Sequence, residues 1–352
     1  MTDLYVIGGQ QKCGAHFKDE WNFYQLSLVA EVSFTDGVRE ICAEYTSPPE
    51  ARPDKDPSIL FKAGTLVDDM LYVCTQTEVM VFQLPDFERI GYTSLPCFND
   101  LHHVRPNSEG NLLVVNTGLD MVHEMTMEGK VLREWDVLGG DPWERFSRTV
   151  DYRKVATTKP HRSHPNYVFQ TGEDVWVTRF EQRDAICLTR EDKRIPIDIE
   201  RPHDGVVRGD AVYFTTVDGH VVVANTADCC VDRVIDLNRI NGGNRALGWC
   251  RGLTVIDDAH VIVGFSRLRP SKFRENVRWV QYRFGKRAWA GDLPTRIALY
   301  NLNSRELCWE HNLEEHGINA VFSIHPIAED VVVEPTAAPM VPVHAETEMA
   351  MS

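Results

Sequence analysis

The sequence predicts an all-β fold: a six-bladed β-propeller of four-stranded antiparallel blades, its ring closed by strands from both ends of the chain. A short motif recurs through Ala63–Thr75 (AGTLVDDMLYVCT), His102–Thr117, Asn166–Thr178, Asp204–Thr215 and Arg251–Ser266. Each copy reads as an apolar strand start, a Gly/Asp/Asn turn and a second apolar strand ending near Thr or Ser, at a spacing of about 40 residues. A third strand follows each copy (Val79–Leu84, Met121–Met125, Ala185–Leu188, His220–Ala224, Ile297–Tyr300), and in most units a fourth, as in Val131–Val137 and Asp232–Leu237. Glu128-Gly129 and Asp218-Gly219 read as hairpin turns. A four-stranded meander cannot bury both faces alone, so neighbouring units must stack around an axis.

Taken in order, the units span 57–97, 98–137, 161–200, 201–238 and 245–313. Leu26–Val32 and Val38–Tyr45, joined to Ile318–Ile324 and Asp330–Val333, supply the sixth; this closure removes edges that would otherwise pair with other chains. Residues 1–334 are thus expected to form one domain, with insertions at 138–160 and 267–295 capping one face. Trp143, Phe146, Trp279, Tyr282, Phe284 and Trp289 argue that these long insertions are ordered and functional. The Pro-rich tail 335–352 reads as disordered.

Composition removes several functions. A net charge of −15 over 352 residues leaves no general basic face for nucleic acid. No apolar stretch approaches the roughly 18 residues a membrane span needs, and the N-terminus lacks the basic and apolar regions of a secretory signal. Nine cysteines with no C-x-x-C spacing read as reduced thiols, most of them buried in strands such as those of Cys42, Cys74, Cys187 and Cys308. The expected location is cytoplasmic. Arginines and lysines crowd 267–296 against two acidic residues.

A propeller brings residues from every blade together at the axial channel. Alignment of the motif copies places His102, Asn166, Asp204, Arg251 and Asn319 at one position, the start of the innermost strand, with Ala63 in the first copy. Two residues earlier stand Asp100, His164, Pro202 and Trp249, which share a face with them by the period of two. In His161–Asn166, Pro165 holds the preceding residue extended, so that His164 and Asn166 point the same way. Converging His, Asn and Asp side chains suit a divalent cation, with oxygens favouring Ca²⁺ or Mn²⁺ and imidazoles Zn²⁺ or Fe²⁺. His102, Asn166 and Asp204 are the expected ligands, and Asp204 ranks first because it supplies charge. The same residues could also line a water-filled channel or serve metal-free histidine chemistry. No H-E-x-x-H, G-x-S-x-G or phosphate-loop pattern is present.

Two likenesses follow from these segments. Pro165-Asn166-Tyr167-Val168 and His203-Asp204-Gly205-Val206 resemble the strand starts of six-bladed gluconolactonase/regucalcin-like and strictosidine-synthase-like propellers. That resemblance implies an axial divalent metal with Asn166 and Asp204 as ligands, although the Glu of the lactonases has no clear counterpart beyond Glu20 and Glu31. Asp100–His103, Gly110–Leu113 and Glu128–Lys130 look like arylsulfotransferase-type propellers, which use a channel histidine.

The resulting expectation is a metal-dependent enzyme acting on a small anionic or sugar-like molecule, by lactone or ester hydrolysis or by lyase or isomerase chemistry. His164, His203 and Arg251 would be catalytic. His103, His161, Asn319, His325, Arg267 and Arg269 would contact substrate. A non-catalytic propeller that binds a protein or small ligand is the rival, and histidine-based group transfer a third reading.

Overall fold

The computed structural model describes residues 3–13, 24–243, 246–268 and 293–327. Its strands form six four-stranded antiparallel sheets. Blade 2 is β4 (Thr65–Val67), β5 (Met70–Cys74), β6 (Val79–Gln83) and β7 (Glu88–Thr93). Blade 3 is β8 (Leu101–Pro106), β9 (Leu112–Asn116), β10 (Met121–Met125) and β11 (Val131–Asp136). Blade 4 is β12 (Pro165–Thr171), β13 (Asp174–Arg179), β14 (Asp184–Cys187) and β15 (Arg194–Pro196). Blade 5 holds β16 (Pro202–Arg208), β17 (Ala211–Thr216), β18 (His220–Asn225) and β19 (Cys230–Asp236). Blade 6 holds β20 (Trp249–Val255), β21 (His260–Ser266), β22 (Arg296–Asn301) and β23 (Glu306–Asn312). The closing blade takes its inner strand, β24 (Ala320–Pro326), from the far end of the chain. It then runs outward through β1 (Leu4–Gln11), β2 (Tyr24–Ser33) and β3 (Gly37–Tyr45).

The second strand of each blade shows why the ring forms. In β5, Leu71 and Val73 pack toward the closing blade while Tyr72 and Cys74 pack toward blade 3. In β9, Leu112 and Val114 face blade 2 and Leu113 and Val115 face blade 4. In β13, Val175 and Val177 turn to blade 3 and Trp176 to blade 5. The alternation of β17 and β21 is the same. Side chains on a strand alternate between faces, so a continuous apolar run marks a sheet covered on both sides. Each of the six interfaces between neighbouring blades accordingly has its own apolar cluster. Outer strands are more exposed: β23 alternates exposed and half-buried positions.

One expectation about the chain ends changes. The segment Leu4–Gln11 is a full strand of the closing blade, paired with both β24 and β2. The glycines of its Gly8-Gly9 dipeptide serve close approach. A Cβ on Gly8 would overlap the carbonyl oxygen of Ala320, and one on Gly9 would lie 2.6 Å from Leu60 Cβ. Asp330–Val333, most of the 267–295 insertion and the tail fall outside the described residues. The nine cysteines are free thiols, but only Cys74, Cys187 and Cys250 are buried. Cys308, expected inside, lies exposed because β23 is an outer strand. Among the described residues, no helix is long and apolar enough to cross a membrane.

Chain direction gives the ring two different faces. Inner strands all start at one face, which therefore also carries the connections from each outer strand to the next blade. The 137–164 connection, between β11 and β12, belongs to this face.

Replacing Gly8 by Ala should force β24 off β1 and destabilise the protein by about 1–3 kcal/mol, the usual effect of overpacking. Urea unfolding of the variant checks this; an unchanged midpoint would mean that the closing contact is not tight.

Candidate active site at the channel mouth

A defect repeated from blade to blade builds the site. The register between the two innermost strands slips between Leu101 and His103 in blade 3 and between Pro165 and Tyr167 in blade 4. It slips again between His203 and Val206 in blade 5 and between Cys250 and Leu253 in blade 6. The skipped residues include His102, Asn166, Asp204 and Arg251, the positions that the motif alignment equates. A β-bulge leaves its extra residue out of the ladder and re-aims its side chain. In the closing blade the slip skips Phe322, between Val321 and Ser323. The alignment with Asn319 is therefore corrected by three residues. Asn319 precedes the strand, and its side-chain oxygen accepts the Gln11 N–H at 2.8 Å.

At the mouth, the side chains of Lys62, Asp100, His102, His161, His164, His203 and Arg251 come together. Lys62 Nζ lies 3.1 Å from Asp100 Oδ1, with both side chains buried. His102 Nδ1 lies 2.9 Å from the Asp100 carbonyl oxygen, so Nδ1 carries the proton and Nε2 the lone pair. The rings of His102 and His164 meet edge to face at 4.8 Å between centroids, and His161 Nδ1 is 2.8 Å from His164 Nδ1. Phe180 stands between His164 and His203, at 4.9 and 5.4 Å. Arg251 lies 3.6 Å over the Phe322 ring and Lys62 4.9 Å over the same ring; such stacking orients a cation and stabilises it.

Burial and neighbouring cations set the protonation states. Burial lowers the His203 pKa well below its ordinary value, and Arg251, His102 and Lys62 lower it further. His102 is pushed down to about 3, by burial first and then by Lys62. Asp100 is raised by burial, but Lys62, His102 and His161 pull it in the opposite direction, well below the usual carboxylate range. The mouth thus holds neutral imidazoles, one carboxylate and two cations.

Sequence reasoning missed the residue that holds this loop. Asp120 is fully buried, and its carboxylate accepts the N–H groups of Arg162, Ser163 and His164 at 2.9, 3.0 and 2.8 Å. Arg145, from the 138–160 insertion, pairs with it at 3.0 Å. His164 consequently sits at φ 57°, a left-handed conformation that a non-glycine residue adopts at a cost. Pro165 does not keep it extended, contrary to expectation. Asn99 ties the same insertion down by donating to the carbonyls of Tyr152 and Val155, both at 2.8 Å. Lys62 was also missed, because it falls one residue before the repeated position.

Other expected site residues have different partners. Asp204 Oδ2 accepts from Thr215 and Oδ1 from the Gly252 N–H at 3.2 Å, so this carboxylate bridges blades 5 and 6. Burial raises its pKa to about 6. Both oxygens of this carboxylate, the expected leading ligand, are thus engaged in the contact between the blades. Asn166 Nδ2 donates to the Pro202 carbonyl at 2.9 Å, while its buried Oδ1 has no hydrogen-bond partner. His103 is expected to contact substrate, but its Nδ1 accepts the Val168 N–H at 3.2 Å and Nε2 is 3.1 Å from Thr65 Oγ1. Its ring stacks on Tyr167 at 3.6 Å. His325 lies further along β24, and burial lowers its pKa to about 4. Arg267 forms a two-pronged ion pair with Glu314 rather than facing a ligand. Arg269 lies outside the described residues.

No protein-family model matches the chain, and no curated protein sequence matches it. Among solved structures, a protein of unknown function from Bacteroides caccae is similar, at 13% identity and TM-score 0.59, covering 94% of this chain and 100% of its own. A catalytically inactive virginiamycin B lyase from Staphylococcus aureus with quinupristin matches at 12% identity and TM-score 0.47, over 88% of each chain. A streptogramin B lyase matches at 10% identity and the same TM-score, also over 88% of each. These likenesses concern the fold.

Asp120→Ala should cost about 3–5 kcal/mol, because it leaves Arg145 and three N–H groups without their buried acceptor. Thermal and urea unfolding measure this; a loss under 1 kcal/mol would sink the role given to Asp120. A second prediction concerns pH. Burial, and then the nearby Arg105 and His325, hold the folded pKa of His103 well below its unfolded value, and its Nδ1 is occupied as acceptor of the Val168 N–H. The unfolded chain then binds the extra proton. Stability is complete above about pH 6.5 and falls as pH drops below it, by up to about tenfold in the folding equilibrium per pH unit. His103→Gln should flatten that slope between pH 6.5 and 5; an identical slope in the variant would contradict the assignment.

Proposed function

We propose that the channel mouth is the active site of an enzyme acting on a small anionic or sugar-like molecule. The observation that carries this reading is the pairing of two aromatic-stacked cations, Lys62 and Arg251, with imidazoles that burial keeps neutral. Cations held in a dry mouth favour an anionic group or a developing oxyanion, since charge interactions strengthen where water is excluded. Arg251 is oriented by its Nε, which donates to the Val321 carbonyl at 3.1 Å. His203, half-buried beside Phe180, is the group best placed to move a proton. An incoming anion offsets Arg251 and Lys62, so it raises the His203 pKa toward the range where an imidazole is an effective base.

Lactone or ester hydrolysis fits these parts: the cations hold the oxyanion while His203 draws a proton from water. Lyase chemistry, in which the base removes a proton beside a carboxylate and the group on the adjacent carbon departs as the double bond forms, uses the same groups. A reducing, cytoplasmic setting suits nine free thiols.

The test is a panel of small lactones, carboxylate esters and sugar acids assayed with the purified protein. For any compound turned over, His203→Gln should lower kcat by about 10²–10⁴, the usual contribution of a general base, with KM little changed. Arg251→Met should raise KM at least tenfold and remove the thermal stabilisation given by inorganic phosphate. Full activity in His203→Gln, or phosphate stabilisation that survives Arg251→Met, would overturn the reading.

A further inference from the structure

We propose that Asp100, His161 and His164 form a binding site for one divalent transition-metal ion of the Zn²⁺, Mn²⁺ or Fe²⁺ class. This set differs from His102, Asn166 and Asp204, and it lies at the channel mouth beside the proposed anion site. Ligand atoms of the three side chains all lie within 4.8 Å of one another.

One detail of the cluster lacks an explanation without an ion. Asp100 Oδ1 is paired with Lys62, but Oδ2 is buried and has no hydrogen-bond partner. Leaving a charged acceptor in that state is costly, and buried polar atoms in native proteins are rarely left so. His161 Nδ1 also lies 2.8 Å from His164 Nδ1, where one ring donates a proton to the other, so the two nitrogens already face one another. Two imidazole nitrogens bound to one ion at about 2.0–2.1 Å sit roughly 3.0–3.4 Å apart, depending on coordination geometry. An ion there would displace the shared proton and take both lone pairs, since ligating imidazoles are neutral.

The supports around the three residues resemble those of a held ligand set. His161 Nε2 lies 3.3 Å from Thr158 Oγ1, which itself donates to the Gly118 carbonyl at 2.6 Å. Lys62 fixes the second oxygen of Asp100, and Asp120 fixes the backbone of His164. Hydrogen bonds of this kind orient metal ligands and raise affinity. Asp100 and His164 both adopt left-handed backbone conformations, φ 47° and 57°. Strain of this kind persists where the surroundings over-determine a geometry.

The donor chemistry narrows the ion. Two imidazoles and one carboxylate suit borderline ions and leave coordination positions open. Ca²⁺ and Mg²⁺ take oxygen ligands and are disfavoured. Lys62 and Arg251 border the mouth, so the open positions face a region that attracts anions. An anionic substrate bridging the ion and Arg251 would relieve the concentration of positive charge.

The experiment uses the full chain, stripped with EDTA and titrated calorimetrically with Zn²⁺, Mn²⁺ and Ca²⁺. One Zn²⁺ or Mn²⁺ per chain should bind, at least 100-fold tighter than Ca²⁺. His161→Ala, a loop residue, and Asp100→Asn should each weaken that binding at least 100-fold, with circular dichroism unchanged. If Asp100→Asn does not fold, His161→Ala carries the test together with the visible d–d spectrum of the Co²⁺-loaded protein. Glu40→Gln, in the Glu31–Glu40–Cys42 group on the outer strands, should change nothing. Absence of Zn²⁺ and Mn²⁺ binding, binding indifferent to His161→Ala, or loss of the ion in Glu40→Gln would each overturn the site. Arg251→Met separates this proposal from the preceding one: it should lose phosphate stabilisation while retaining the ion.

Discussion

Every part of the molecule follows from one constraint: each blade has two apolar faces, so none is stable until it is covered on both sides. Leu71 and Val73 cannot leave water unless the closing blade is present, and Tyr72 and Cys74 cannot without blade 3. Fully burying such a side chain is worth about 1.5–3 kcal/mol, and the gain recurs at all six interfaces. An open array would leave two apolar faces exposed at its ends. The chain avoids this by placing β24 against β1, which makes the ring one cooperative unit. It also fixes the six inner strands around a common axis, without which the mouth residues have no reason to meet.

On that frame, the candidate site is built from local departures from regular pairing. The inner-strand bulges place His102 and Arg251 where an unbroken ladder would put ordinary paired strand residues. Not every bulge serves the site. Asp204 occupies one and uses its carboxylate to join blade 5 to blade 6, and Phe322 supplies the aromatic floor beneath Arg251. The same position in different blades thus serves cohesion or chemistry, according to the side chain that fills it.

This division explains how much could be read from sequence. The blades were legible because burial on two sides produces unbroken apolar runs bounded by turns, a pattern strong in single copies and stronger when repeated. The strand of Leu4–Gln11 was not, since its glycines acquire their meaning only from Ala320 and Leu60 across the closure. Bulge positions aligned well for His102, Asn166, Asp204 and Arg251, because each follows the same turn and strand pattern. Which of them faces the mouth depends on partners in the next blade, which no local pattern encodes. Asp120 and Lys62 illustrate the limit. One sits in an ordinary turn and the other beside an alanine, and their roles arise from contacts 42 to 44 and 38 residues away along the chain.

A chain of net charge −15 that concentrates cations at its mouth needs a physical reason. Net charge governs long-range behaviour, which salt screens over about 8–10 Å. Within the mouth, burial removes that screening, and the local balance decides what enters. There Lys62 is half neutralised by Asp100, whereas Arg251 adds a charge held flat against Phe322. Neutral histidines add hydrogen-bonding capacity without opposing charge. On the proposed reading, the net negative charge would repel polyanions at a distance while the mouth would favour a small anion. On that reading, selectivity would follow from where the charges sit rather than from how many there are.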